Sequence, residues 1–129
     1  MENVNTATIM IVEDYDDTRL MVRLLLEKRG YRVLEADDGL KGVEIALRER
    51  PDLILMDLNM PHLDGFAATR RIRAHAEMRD VPIVAFSGYG PEHFGLEALA
   101  AGCDAYLCTP IEPEQLDDLL TRLLSKRTK

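Results

Sequence analysis

Hydrophobic and polar positions follow two alternating patterns along the chain. Short, nearly continuous apolar runs are each followed by a longer segment in which apolar side chains recur at helical spacing, and this pair occurs five times. The pattern predicts five strands, each followed by a helix. Continuous apolar runs are typical of parallel strands that are covered on both faces. The predicted strands are residues 8–12, 32–36, 53–56, 83–86 and 105–108.

Caps and chain-breaking residues mark the predicted helices. The last helix is the best marked, because Pro113 suits a first turn and five leucines after it form one apolar stripe. The fourth helix is the least well marked, because Gly95 lies within it. Each helix has a predicted apolar side. In the first helix it consists of Leu20, Met21, Leu24 and Leu25; in the second, of Leu40, Val43 and Leu47; and in the fourth, of Leu96, Leu99 and Ala100.

The order of these elements indicates an α/β domain. Crossovers between parallel strands of one sheet are right-handed. For five strands this favours a doubly wound, flavodoxin-like (βα)5 fold with a parallel sheet in the order 2-1-3-4-5. A length of 129 residues is close to the usual size of one domain. We therefore expect a single domain whose core spans about residues 7–125, with short polar tails.

Composition and charge restrict the possible partners. With 47% hydrophobic and 30% charged residues, the chain has the composition of an ordinary globular protein. Its formal net charge of −7 argues against nucleic acid, whose phosphates require clustered lysine and arginine. Cys103 and Cys108 lack further ligands at zinc spacing and are interpreted as reduced thiols. No apolar stretch approaches the roughly 20 residues of a membrane span, so we expect a cytoplasmic protein with protein partners.

Polar side chains follow four of the predicted strands. Glu13 and Asp14 follow the first strand, Asp57 the third, Ser87 the fourth and Thr109 the fifth. In a doubly wound sheet the site lies beyond the carboxyl ends of the strands, so these side chains should converge. Three packed carboxylates repel one another until protonation or a cation relieves the repulsion. Oxygen ligands alone favour Mg²⁺ over zinc, and bound Mg²⁺ commonly bridges to phosphate.

Asp57 is the candidate nucleophile of this site, because it ends a buried strand whereas Glu13 and Asp14 open a loop. A carboxylate can attack phosphorus and form an aspartyl phosphate when cations and hydroxyls neutralise the transferring oxygens. The alternative interpretation is that strand-end aspartates only cap helices. We assign a capping or solvated role to Asp16, Asp17, Asp37, Asp38 and Asp64.

Several spaced motifs, in the right order, resemble one known family. They are Ile-Val-Glu-Asp at 11–14, Asp-Leu-Asn-Met-Pro at 57–61 with Asp64 and Gly65, Phe-Ser-Gly at 86–88, and Ala-Tyr-Leu at 105–107 before Pro110. The chain resembles the receiver domains of two-component response regulators. The resemblance extends from about Thr8 to the last helix.

The resemblance implies a metal site and a phosphoryl acceptor. Glu13, Asp14 and Asp57 would hold Mg²⁺ together with the main-chain carbonyl of Asn59. Asp57 would accept a phosphoryl group from a histidine kinase or a histidine phosphotransfer protein. The chain would then be a signalling protein of a phosphorelay.

The resemblance also implies a route by which phosphorylation is transmitted. Ser87 would be the switch hydroxyl that moves to a phosphoryl oxygen, and Tyr106 would be the aromatic switch residue whose rotamer follows. Pro110 would follow a cis peptide bond, as in the family. A downstream protein partner would bind helix 4, strand 5 and helix 5, and a homodimer is compatible with the same surface.

The chain departs from the family at position 109, where receivers carry a lysine and this sequence has Thr109. An ammonium about 4 Å from a phosphoryl charge has a gross attraction of about 4 kcal/mol at an effective dielectric near 20. A hydroxyl cannot supply that charge. Three outcomes remain open: phosphorylation at Asp57 with altered transmission, which we favour; inefficient phosphorylation; and a degenerate receiver that acts as a phosphorylation-independent interaction module.

A phosphatase or phosphotransferase with an aspartyl nucleophile is an alternative from another class. Such enzymes have a second aspartate two positions after the nucleophile, where this chain has Asn59. A cap domain that would enclose a substrate does not fit in 129 residues. We therefore expect that the chain is not an enzyme.

Overall fold

The computed structural model describes residues 7–127, and for residues 126 and 127 it describes the main chain alone. The strands are β1 Thr8–Val12, β2 Arg32–Ala36, β3 Leu53–Asp57, β4 Ile83–Ser87 and β5 Ala105–Cys108. The helices are α1 Asp16–Lys28, α2 Gly39–Glu49, α3 Gly65–Arg73, α4 Pro91–Ala101 and α5 Pro113–Arg127, with a short 3-10 helix at Ala76–Met78. β3 and β4 each extend one residue beyond the predicted strand.

The five strands form one parallel sheet in the order β2-β1-β3-β4-β5, so the predicted flavodoxin-like fold is confirmed. Successive strand residues point to opposite faces, which divides the core into two layers. Met10 and Ile54 pack with α2, α3 and α4 on one face. Ile9 and Leu53 pack with α1 and α5 on the other. All residues of β3 and β4 are buried.

The helix ends follow the capping residues that the sequence contains. The carboxylates of Asp38 and Asp64 accept hydrogen bonds from main-chain N–H groups in the first turns of α2 and α3. Gly30, with φ of 89°, ends the turn after α1, and Gly102, with φ of 116°, ends α4. Despite Gly95, α4 is a complete helix, because Pro91 opens it and Gly102 closes it.

The buried faces of α1 and α4 differ from the apolar sides noted in the sequence. Leu20 of α1 is 45% exposed, and Met21 and Leu24 are exposed as well. α1 instead buries Val22 and Leu26, and α4 buries Ala98 and Ala101 while its two leucines face outward. Both helices carry apolar residues around more than one side, so the helical period alone leaves two possible faces. Packing on the sheet selects one of them.

Two main-chain features fix the position of Asp57 at the end of β3. Val12 of β1 pairs with Met56 of β3, so the residues that follow them lie side by side at one edge of the sheet. Gly65 opens α3 directly against the main-chain carbonyl of Asp57, where a side chain would collide. Glycine is therefore required at this position by close contact rather than by a positive φ.

No helix in the described part of the chain is long and apolar enough to cross a membrane.

Candidate acceptor and metal site

Three carboxylates meet at the carboxyl edge of the sheet, as the sequence predicts. One oxygen from each of Glu13, Asp14 and Asp57 lies within 4.8 Å of the other two. Glu13 and Asp57 are buried, with 6% and 7% of their surface exposed, whereas Asp14 faces the solvent. The register of β1 and β3 produces this cluster, because it places the two strand ends next to each other.

Burial and mutual repulsion change the acid–base behaviour of the two buried carboxyls. Burial, together with the neighbouring Glu13, raises the pKa of Asp57 from 3.8 to about 8. Burial also raises the pKa of Glu13, although the main-chain N–H of Tyr15 donates to its carboxylate at 3.0 Å and opposes this rise. In the absence of a cation the cluster therefore retains a proton near neutral pH.

The donor set of this cluster suits a hard divalent cation. Its ligand atoms are carboxylate oxygens, which Mg²⁺ prefers, and no histidine or cysteine joins them within residues 7–127. Asn59 lies beside the cluster, and its main-chain N–H donates to Asp57 Oδ1 at 3.2 Å. Its main-chain carbonyl stays a predicted fourth ligand.

A cavity of about 290 Å³ opens above the carboxylates. Six predicted site residues line it, namely Glu13, Asp14, Asp57, Asn59, Ser87 and Thr109. The sequence analysis missed Tyr15 and Thr18, which also line it. Both lie at the start of α1, close in the chain to Asp14, and adjacency to the acidic pair was the only signal that could have indicated them.

Ser87 connects the acceptor cavity to Tyr106. Its hydroxyl donates to Asn59 Oδ1 at 2.9 Å and accepts from the main-chain N–H of Tyr89 at 3.1 Å. The Tyr106 hydroxyl donates to the main-chain carbonyl of Tyr89 at 2.8 Å. Burial raises the pKa of Tyr106, and the nearby Ser87 hydroxyl partly offsets the rise. Tyr106 itself does not line the cavity, but its hydroxyl lies near that of Ser87, which does.

Thr109 leaves the cavity without a side-chain cation. No lysine, arginine or histidine lines it among the described residues. The Thr109 hydroxyl faces Gly88, because a Cβ built on that glycine would lie 3.8 Å from Oγ1. His62 and His93, which could carry a positive charge in place of the missing lysine, do not line the cavity; both are exposed, and His93 packs against the ring of Tyr89.

The raised pKa of Asp57 predicts a pH-dependent stability. The folded protein holds this proton more tightly than the unfolded chain, so the contribution to stability is complete below about pH 4 and is lost as the pH rises to about 8. Without divalent cations at pH 8, we expect Asp57→Asn to have a higher free energy of unfolding than the wild type, and we expect this difference to shrink as the pH falls towards 4. Thermal unfolding between pH 4 and pH 9 with a chelator measures the difference.

The matched control for this experiment is Asp64→Asn, which removes an exposed carboxylate but keeps a capping side chain. Its difference from the wild type measures the effect of removing a carboxylate that lies outside the cluster. A constant difference between Asp57→Asn and the wild type across the pH range would contradict the assigned pKa shift.

Comparison with known proteins agrees with the fold. A family model described as the response regulator receiver domain matches residues 9–121. Protein PilH of Pseudomonas aeruginosa is 34% identical over 119 residues, which are 92% of this chain and 98% of PilH. The chemotaxis protein CheY4 of Vibrio cholerae superimposes with a TM-score of 0.86 and 30% identity, covering 92% of this chain and 99% of CheY4.

A third relative contains a metal. The receiver domain of the sensor histidine kinase PA1611 from Pseudomonas aeruginosa, with a magnesium ion coordinated in its active site cleft, has a TM-score of 0.88 and 36% identity. The match covers 94% of this chain and 99% of that domain. The family match, the shared fold and the acidic cluster lead to one conclusion: the chain belongs to the response regulator receiver domains of two-component signalling.

Proposed function

We propose that the chain accepts a phosphoryl group on Asp57 from a histidine kinase or a histidine phosphotransfer protein in a Mg²⁺-dependent reaction. The observation that carries this proposal is the clustering of Glu13, Asp14 and Asp57 at the base of an open cavity. A structural cluster of buried acids would be closed off by packing. This one is accessible to a phosphoryl group.

In the proposed transfer, a carboxylate oxygen of Asp57 forms a bond to phosphorus while the phosphorus–nitrogen bond of the donor phosphohistidine breaks. The released imidazole takes up a proton. Glu13, Asp14 and Asp57 would hold Mg²⁺, which would supply positive charge beside the transferring oxygens. The hydroxyls of Ser87 and Thr109, which line the cavity, can donate hydrogen bonds to those oxygens.

Phosphorylation would alter the contacts of Ser87. A Ser87 hydroxyl that donates to a phosphoryl oxygen can no longer donate to Asn59 Oδ1. The main-chain N–H of Tyr89 bonds to the same hydroxyl, and Tyr106 bonds to the carbonyl of Tyr89. We propose that this series of hydrogen bonds transmits the change to β5, and that Thr109, in place of a lysine, alters how strongly the change is transmitted.

Exposed apolar surface supports protein partners on both sides of the molecule. Near the cavity, α1 exposes Leu20, Met21 and Leu24, which a phosphodonor protein can cover. On α4, Leu96 is 84% exposed and Leu99 lines a groove of about 170 Å³ that continues along β5. This groove supports a downstream partner, or a second copy of the chain, on α4, β5 and α5.

The second candidate function is a phosphorylation-independent interaction module. The observation that favours it is the lack of a cation among the described residues of the cavity. Under either function the chain binds proteins and does not turn over a free phosphomonoester.

A cytoplasmic location is part of the proposal, because Cys103 and Cys108 are free thiols, which suits a reducing compartment.

The test is incubation with Mg²⁺ and either acetyl phosphate or beryllofluoride. We expect the wild type to gain the mass of one phosphoryl group with acetyl phosphate, and to be stabilised against heat by beryllofluoride. Asp57→Ala should lose both responses completely, and Asp64→Asn should keep both because its carboxylate lies outside the cavity. A wild type that shows neither response would refute phosphorylation and leave the interaction module.

A further inference from the structure

Arg19 connects the acidic loop to two neighbouring elements. It lies in α1, and 17% of its side chain is exposed. Nη1 donates to the main-chain carbonyl of Glu13 at 2.9 Å, Nε to Glu35 Oε1 of β2 at 3.1 Å, and Nη2 to Asp16 at 2.7 Å. One planar group therefore makes hydrogen bonds in three directions.

The bond to Glu13 completes the support of this residue's main chain. The N–H of Glu13 donates to the carbonyl of Ala36 in β2 at 3.0 Å. Its carbonyl, which belongs to the peptide group that leads to Asp14, accepts from Arg19. Both main-chain polar groups of Glu13 are thus bound, so rotation of the Glu13–Asp14 peptide would break the bond to Arg19.

The loop needs such support because the charges within it favour separation. Glu13 and Asp14 lie within reach of Asp57, and all three carboxylates repel one another when ionised. A loop free to rotate would relieve the repulsion by turning the two carboxylates away from Asp57. A cation can bind all three only if the loop stays in place.

We propose that Arg19 is a positioning residue of the acceptor site, which holds the Glu13–Asp14 peptide so that both carboxylates face the same cation as Asp57. The inference rests on the proposed Mg²⁺-dependent function and deepens it. Glu35 orients Arg19 and is itself held by Arg23, whose Nη1 donates to Glu35 Oε2 at 2.9 Å.

A purely electrostatic role for Arg19 predicts the opposite result, which makes the proposal testable. Removing a positive charge near a cation site strengthens cation binding. Removing a positioning residue weakens it, and loss of a residue that orients metal ligands typically costs 10- to 100-fold in affinity. The sign of the change therefore separates the two roles.

The experiment measures the dissociation constant for Mg²⁺ by isothermal titration calorimetry on the wild type, Arg19→Gln, Arg19→Lys and Arg23→Gln. We expect Arg19→Gln to weaken binding about 10-fold. Arg19→Lys keeps the charge and one donor, so it should recover part of the loss. Arg23→Gln is the matched control: it removes the same charge from the same helix and a bond to the same Glu35, but it has no bond to Glu13. Because Arg23 can affect Glu13 only through Glu35 and Arg19, this variant should change Mg²⁺ binding far less than Arg19→Gln does.

The outcomes distinguish this inference from the proposed function. Arg19→Gln that binds Mg²⁺ as tightly as the wild type, or more tightly, would overturn the positioning role and leave the function intact. A wild type that does not bind Mg²⁺ would overturn the proposed function itself. If Arg19→Gln does not fold, as judged by thermal unfolding, Glu35→Asp replaces it. That variant keeps the negative charge and leaves Arg19 in place, but its shorter side chain orients Arg19 less well. It should weaken Mg²⁺ binding by a smaller factor, and unchanged binding would overturn the proposal.

Discussion

Replacement of Thr109 with lysine is expected to increase the rate at which small phosphodonors phosphorylate Asp57 by about 10- to 100-fold. Thr109 lines the cavity, and its main-chain N–H is held by the carbonyl of Ser87 at 2.8 Å, so a longer side chain at this position points into the same space. An ammonium about 4 Å from a phosphoryl oxygen gains about 4 kcal/mol before desolvation. If a third to two thirds of this attraction remains in the transition state after desolvation, the activation free energy falls enough to raise the rate about 10- to 100-fold.

The rate is measured with acetyl phosphate and Mg²⁺ by following phosphoprotein mass over time. Cys108→Lys is the matched control, because it adds the same charge one residue earlier, on an exposed position outside the cavity lining. It should leave the rate within about twofold of the wild type, as expected for a screened surface charge. A Thr109→Lys variant with an unchanged rate would mean that the hydroxyls of the cavity already compensate for the missing lysine.

Replacement of Arg73 with methionine is expected to lower the free energy of unfolding by about 3–4 kcal/mol. Arg73 ends α3 and donates to the carbonyls of Gly102, Met78 and Val81 at 2.9, 2.7 and 2.7 Å. It also pairs with Asp104 at 2.8 Å, and the same carboxylate accepts from the N–H of Ile83. Methionine preserves the apolar stem but removes the Arg73 donor from each of these acceptors, and a buried acceptor left without any donor costs about 1–3 kcal/mol.

Urea denaturation measures this loss, and the Mg²⁺ dissociation constant should stay unchanged because Arg73 lies at the opposite edge of the sheet, where β4 and β5 begin. Arg71→Met is the matched control. Arg71 is exposed on the same helix and has no ion pair among residues 7–127, so its replacement should change stability by less than about 0.5 kcal/mol. Equal losses in both variants would show that the bonds of Arg73 contribute no net stability.

The sequence alone determined the fold and the grouping of three carboxylates at one edge of the sheet. Five apolar runs with the right spacing led to the observed sheet order, because a doubly wound chain has few allowed topologies. The same topology brings strand ends together, so Glu13, Asp14 and Asp57 could be assigned to one site from their places after β1 and β3. The apolar stripe of α5 could also be predicted, since Leu116 and Leu120 lie one turn apart in the sequence. Both are fully buried in the structure.

Only the tertiary structure decided which helix faces are buried and which side chains support the site. α1 and α4 have apolar residues on more than one side, and contact with the sheet chose Val22 and Ala98 rather than Leu20 and Leu96. Arg19 and Arg73 look like ordinary charged helix residues in the sequence. Their roles depend on partners such as Glu35 and Gly102, which are 16 and 29 residues away along the chain. Local patterns carry no information about such contacts, because packing of the elements against one another creates them.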